Sequence, residues 1–256
     1  DYPLVRPQVL TVAMDTFAGA ECDRVHPCCG GLRGHPPLLA ARLLAPLAGA
    51  PTDGDLRMFL DTHAAQAIDV EVDDLTVLLD MDTPADLDRL RGFSAHIDHP
   101  GRAAARLGER EALFLLELLK TPPNVVAHCR EVARAGTAVA RAVQAVRPEV
   151  DAGLVQAGCL VHDMVRSQGA RKHALMAERI LRNFGLLRLA DVVGGHMVLP
   201  LDPAASQTVT EEELVYLADK LVVEDRLVGL VGRERRALEK CGDDEVSRRG
   251  IRARMQ

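Results

Sequence analysis

The apolar positions of this chain change rhythm near its middle. From about Glu109 onward they recur at three- and four-residue steps: Leu113, Leu116, Leu119, then Val125, Val132, Val139, Val143, then Leu154, Leu160, Val161. That spacing lines one face of a helix and predicts a second half that is helical throughout. Pro122-Pro123, Arg147-Pro148, Gly194-Gly195 and the 200–208 segment punctuate it. Thr210 followed by Glu211, Glu212 and Glu213 is a favourable helix start, with a hydroxyl cap and acids in the first turn.

The first half is mixed. Pro36–Leu47 is rich in Leu and Ala and predicts a helix, and Leu56–Gln66 predicts another. Ile68–Val72 alternates apolar and acidic residues, as a half-exposed strand does, and Leu75–Leu79 is a short β-like run. Thr83 before Pro84 marks a helix start. Residues 93–108 hold Pro, Gly and scattered polar groups, and the domain boundary is placed there. His96 and His99 fall in that linker and read as solvated rather than as ligands. The chain opens at Asp1 and runs at once into apolar Val9–Met14, like the middle of a domain, so a fragment is expected. The expected fold is an α/β part over 1–92, a linker over 93–108 and an all-α bundle over 109–256.

Composition narrows the function classes. A hydrophobic content of 48% over 256 residues supports a sizeable core. The net charge of -6 provides no global basic field for nucleic acid, and 3% aromatics with no Trp leave little for stacking bases. The six cysteines form no CxxC pair and read as reduced thiols of a cytoplasmic protein. No stretch reads as a membrane span or signal peptide. The expected partner is a small phosphorylated or nucleotide substrate.

Polar residues at the edges of apolar stretches carry the chemistry. His128 lies three residues after Val125 and four before Val132, so it faces as they do. Alone it reads as a core histidine bonded to a carbonyl. His162-Asp163 ends the apolar run Gly158–Val161, and two ionisable groups there are costly to bury without a partner. His173, His196 and Asp219 sit at similar edges. Imidazole and carboxylate together suit iron, manganese or zinc, and a two-metal centre suits phosphoester cleavage.

This arrangement resembles the HD-domain metal-dependent phosphohydrolase superfamily over roughly residues 111–240. The resemblance rests on Thr121-Pro122-Pro123-Asn124-Val125 leading into His128, on His162-Asp163 and on Ala218-Asp219-Lys220. His128, His162, Asp163 and Asp219 correspond to the family's minimal ligand set, and His173 and His196 to the additions of its two-metal branch. It implies two divalent ions, iron, manganese or similar, with Asp163 between them. His128, His162 and Asp219 would complete one shell, His173 and His196 the other. The nearest likeness is to bacterial members that hydrolyse nucleotide polyphosphates such as dinucleoside tetraphosphates. Many members carry Lys three residues after the HD aspartate. Arg166 stands there, either as a bidentate phosphate contact or as a surface residue. Arg171, Lys172, Lys220 and Arg226 are weaker phosphate-contact candidates, better read as a solvated face.

Residues 1–92 resemble the C-terminal half of a MobA-like (molybdenum cofactor) nucleotidyltransferase, a partial Rossmann-like domain. Three segments carry this: Asp1-Tyr2-Pro3-Leu4-Val5, Gly31–Leu39 around His35-Pro36, and Asp80-Met81-Asp82-Thr83-Pro84-Ala85-Asp86-Leu87. The resemblance implies Mg²⁺ on Asp1 and on Asp80 or Asp82, Asp80 being favoured, with His35 near the acceptor substrate. Asp82 or Thr83 could equally serve as a simple helix cap. The family's Gly-Asp-x-Gly-Ala-Arg appears as Thr52-Asp53-Gly54-Asp55-Leu56-Arg57, with both glycines changed, and its Gly-rich nucleotide loop is absent. Mg²⁺ chemistry is therefore expected only of a complete domain, and no transferase activity of this chain alone.

Overall fold

The computed structural model describes residues 2–50, 55–63, 66–98, 107–168, 173–197, 208–242 and 244–253. Two compact units divide after Pro100: residues 1–100 with 183–185, and 101–182 with 186–256. Among the described residues, no helix is long and apolar enough to cross a membrane.

The first unit is α/β. Helix α1 (Pro7–Ala18) buries Val9 and Ala13. Strand β1 (Arg24–Cys29) is the spine of the sheet. It runs antiparallel to β2 (Leu32–Arg33) at one end and to β3 (Leu38–Leu39) at the other. After α2 (Leu44–Ala48) and α3 (Leu56–His63), β4 (Ala67–Glu71) pairs parallel with β1. The β1–β2 turn is Gly30-Gly31, both at positive φ (59° and 72°), the backbone a two-residue hairpin requires. The Glu71 carboxylate accepts both of their N–H groups, at 2.9 and 3.0 Å.

Expectation and structure part at several elements here. Pro36–Leu47 is not one helix. Pro36 and Pro37 resist helical entry, Leu38-Leu39 pairs with β1, and only Leu44–Ala48 remains α-helical. Leu75–Val77 is a 3₁₀ turn rather than a strand, because the buried Asp74 carboxylate takes both the N–H and the hydroxyl of Thr76. Helix α4 (Pro84–Asp98) runs through the first six residues of the expected linker. Buried Leu90 and Phe93, three residues apart, hold it. The Ile68–Val72 pattern does form a strand, with half-buried Ile68 and Val70 alternating with exposed neighbours.

The second unit is helical: α5 (Glu109–Leu118), α6 (Pro123–Gln144), α7 (Ala152–Val161), α8 (His173–Asn183), α9 (Leu187–Gly195) and α10 (Glu211–Leu221). It is interrupted by a hairpin of β5 (Val222–Val223) and β6 (Arg226–Leu227), before α11 (Gly229–Cys241) and α12 (Glu245–Ala253). That hairpin departs from the uniformly helical expectation. β-branched Val222 and Val223 leave α10 in extended backbone, and Glu224 turns the chain at φ 56°. Thr210 caps α10 as its sequence predicts, in a reciprocal capping box with Glu213.

Small residues set how closely α6 and α7 pack with their neighbours. A Cβ on Gly136 would lie 2.6 Å from Cys159 Sγ and 3.0 Å from Ala218 Cβ. One on Gly158 would lie 2.8 Å from Val192 Cγ1 and 3.0 Å from Val215 Cγ2. Gly158→Ala gains about 1 kcal/mol of helix propensity. It forces an overpacking cost of about 1–3 kcal/mol, which wins. Thermal unfolding is expected to show a midpoint lowered by about 2–4 °C for each kcal/mol of net loss. An unchanged or raised midpoint would show that the helices can separate freely.

Candidate metal centre

Five helices bring six polar side chains to one place. His128 lies on α6, His162-Asp163 at the C-terminal end of α7, His173 at the start of α8, His196 just after α9, and Asp219 in the last turn of α10. His162, Asp163, His173, His196 and Asp219 are buried, and His128 is half-buried. Two groups could each hold a metal ion, His128 with His162 and Asp163, and Asp163 with His173 and His196. In each, the ligand atoms lie within 4.8 Å of one another, and Asp163 belongs to both. Asp219 joins the first group, its Oδ1 standing 3.2 Å from His128 Nε2 and 3.8 Å from His162 Nε2. In the second, His173 Nε2 is 3.0 Å from Asp163 Oδ1 and 3.2 Å from His196 Nε2. All six residues named from the sequence are thus brought together.

Backbone carbonyls fix the tautomers. His128 Nδ1 lies 2.6 Å from the Glu224 carbonyl, His162 Nδ1 2.9 Å from that of Cys159, and His196 Nδ1 2.5 Å from that of Val193. A carbonyl only accepts, so each Nδ1 carries the proton and, in the neutral ring, each Nε2 presents a lone pair to the centre. His162 Nε2 is buried and, among the described residues, has no hydrogen-bond partner. Its nearest neighbours of note, Asp163 Oδ2 at 3.6 Å and Asp219 Oδ1 at 3.8 Å, are themselves acceptors. A buried lone pair without a donor is costly, and a divalent cation would answer it together with the carboxylates beside it. The donor set fits a metal.

Electrostatics prepare these groups as ligands. Burial opposes ionisation of Asp163. The His173 hydrogen bond, His162 and Arg166 nevertheless hold its carboxyl well below the usual carboxylate range. Asp219 is held low in the same way against burial, by His128, His162 and Lys220. Burial drives His196 down to about 3 and lowers His162 as well. Burial also opposes the charged form of His128, but its bonds to Asp219 and the Glu224 carbonyl leave its pKa raised.

The surrounding cations were only partly foreseen. Arg166 Nη1 donates to both Asp163 oxygens, at 3.1 and 3.0 Å, while its side chain remains 44% exposed. Lys220 Nζ is 2.6 Å from Asp219 Oδ2, within reach of the site rather than on a solvated face. Arg233 was missed. Its guanidinium donates to the Asp219 and Val222 carbonyls and sits 3.8 Å from Asp219 Oδ2. Nothing in its local sequence separates it from the other arginines of α11. Arg226 is exposed, its Nε 3.9 Å from Asp225, and Arg171 and Lys172 lie outside the described residues.

In the first unit, the Tyr2 ring stacks on His35 with centroids 4.4 Å apart. Burial, then Asp80 and Asp82, push the Tyr2 phenol pKa up. Asp1, residues 52–54 and His99 lie outside the described residues, as does the side chain of His96.

The family model described as HD domain matches residues 125–223, a span that contains all six converging side chains. The match supports an HD domain in the helical unit, and HD domains are in general metal-dependent hydrolases. No curated protein and no solved structure matches the chain.

Metal analysis of protein purified without chelator is expected to find up to about two ions per chain. His173→Ala with His196→Ala should remove about one of them, and Asp163→Ala should remove both while the helical circular dichroism persists. Full retention of metal in Asp163→Ala would overturn the shared position of this carboxylate.

Proposed function

We propose that the helical unit is a metal-dependent phosphohydrolase acting on a nucleotide or another phosphoester. One observation carries this reading: two His/Asp groups, buried but for half-buried His128, share Asp163. His128, His162 and Asp219 would hold one ion, His173 and His196 the other, with Asp163 common to both. Bound divalent ions supply a water activated at neutral pH and neutralise charge on the phosphoryl group. The protein's own contribution is orientation. The carbonyls of Glu224, Cys159 and Val193 hold the imidazoles with Nε2 inward. Lys220 and Arg233 steady Asp219 from outside. Arg166 is held by Asp163 yet open to solvent, so its remaining N–H groups can bind phosphate oxygens of an arriving substrate.

The Tyr2 ring stacked on His35, its phenol pKa raised by burial and by the Asp80 and Asp82 charges, favours a second reading. In it the first unit is part of a MobA-like nucleotidyltransferase, with Mg²⁺ on its aspartates when the domain is complete, and the helical unit senses a nucleotide.

The chain should be assayed with manganese or iron against a phosphoester panel that includes dinucleoside polyphosphates. Turnover that falls to background in folded Asp163→Ala is expected. Tight nucleotide binding without turnover would favour the sensor reading instead. Arg166→Ala is expected to lower kcat/KM by about 10- to 100-fold, the equivalent of a charge-assisted hydrogen bond. An unchanged kcat/KM would return Arg166 to the role of a surface partner of Asp163.

A further inference from the structure

Arg233 stands on α11, outside the six converging side chains, yet it grips the backbone that places two of them. The point it grips is the joint where α10 becomes β5. The Val228 N–H bonds the Leu221 carbonyl at 2.9 Å. Val222 and Leu227 are the next pair of the hairpin, and in an antiparallel ladder that pair makes no hydrogen bonds of its own. The Val222 carbonyl therefore faces away from β6. The Asp219 carbonyl, in the last turn of the helix, takes the Val222 N–H and keeps a second lone pair. Arg233 Nη1 donates to both carbonyls, at 2.6 Å to Asp219 and 2.7 Å to Val222.

Each side of this joint leads to a candidate ligand. On the helix side the Asp219 carboxylate projects, its Oδ1 3.2 Å from His128 Nε2. On the hairpin side, two residues past Val222, the Glu224 carbonyl takes the Nδ1 proton of His128 at 2.6 Å. The other group is held differently, His196 by the Val193 carbonyl and His173 by Asp163. Two effects of the guanidinium oppose each other. Its charge, 3.8 Å from Asp219 Oδ2, repels a cation bound there. Its hydrogen bonds fix the backbone from which Asp219 and Glu224 project. The charge is delocalised and the side chain 26% exposed, so solvent screens the repulsion. The hydrogen bonds are short and local, and positioning wins.

We propose that Arg233 is a positioning residue for one ion of the pair: by clamping the α10–β5 joint it sets Asp219 and, through the hairpin, His128, while the ion on His173 and His196 does not depend on it. The proposal rests on the two-ion centre of the phosphohydrolase reading and adds to it a selective dependence on α11.

The full chain, stripped of metal, should be titrated with Mn²⁺ by calorimetry and followed by electron paramagnetic resonance. Wild type is expected to bind two ions and to show the multiline signal of a coupled pair. Arg233→Ala should weaken one of the two affinities by about 10- to 100-fold, as loss of an outer partner of a metal ligand does. At two equivalents of Mn²⁺ the six-line signal of an isolated ion should then replace the multiline one. Arg233→Lys, which keeps the charge and a donor, should lose less. If Arg233→Ala does not fold by circular dichroism, a severalfold loss confined to one ion in Arg233→Lys decides the matter. Adding Arg233→Ala to His173→Ala with His196→Ala should weaken the one remaining ion, which identifies the ion that Arg233 serves. A residue that merely held α11 in place would lower the melting midpoint and leave both affinities unchanged. Unchanged affinities, a tighter first ion, equal weakening of both ions, or an unaffected ion in the combined variant would each overturn the proposal. Wild type that binds no ion would overturn the phosphohydrolase reading with it, whereas two ions in wild type and in Arg233→Ala alike would overturn this proposal alone.

Discussion

The helical unit is organised around a problem of lone pairs. His162 Nε2 is buried, faces two carboxylates and, among the described residues, has no donor to meet. His128 presents both ring nitrogens to acceptors, the Glu224 carbonyl and Asp219. Such a cluster would not persist out of water on packing alone, since each unmet acceptor costs on the order of 1–3 kcal/mol. A proton can relieve one of these contacts at a time. A divalent cation relieves several, which is why the site reads as a metal centre and not as a buried salt-bridge network.

Bringing side chains from five helices together requires those helices to come close. Gly136 and Gly158 sit where a single methyl group would strike Cys159 and Val192. The close approach at these positions lets α7 deliver His162-Asp163 to the same place that α6 delivers His128. The cost of glycine in a helix interior, about 1 kcal/mol, is offset by the ligand geometry it permits.

Much of the site was legible in the sequence because its signals are local. Each ligand stands at the margin of an apolar run, and Thr210 with Glu213 announces the helix that carries Asp219. The illegible parts depend on distant partners. Nothing near Arg233 shows that it reaches the Asp219 carbonyl, and nothing near Leu38-Leu39 shows that β1 pairs with it. In the first unit, a Leu/Ala-rich run read as a helix was claimed by sheet pairing and by its prolines. The Leu75–Val77 turn went unread because a buried carboxylate, Asp74, outcompeted β propensity. Local pattern ranks what a segment prefers, and tertiary pairing decides when the preference is weak.

The hairpin that breaks the helical unit follows from the same tautomer requirement. His162 and His196 stand just past the C-terminal ends of α7 and α9, where the last carbonyls lack intrahelical partners. Each ring folds back on the carbonyl three residues earlier, satisfying it and turning Nε2 inward. Both helices thereby point their negative ends towards the centre, which favours a cation there. His128 cannot use this device. It sits inside α6, where the preceding carbonyls are already engaged by the helix, so its Nδ1 proton needs an acceptor from elsewhere. The turn between β5 and β6 supplies it as the Glu224 carbonyl. A continuous helix from Asp219 onward would turn that carbonyl into its own hydrogen-bond ladder and leave His128 free to rotate. The departure from helix at Val222 is therefore part of how the centre holds its first ligand.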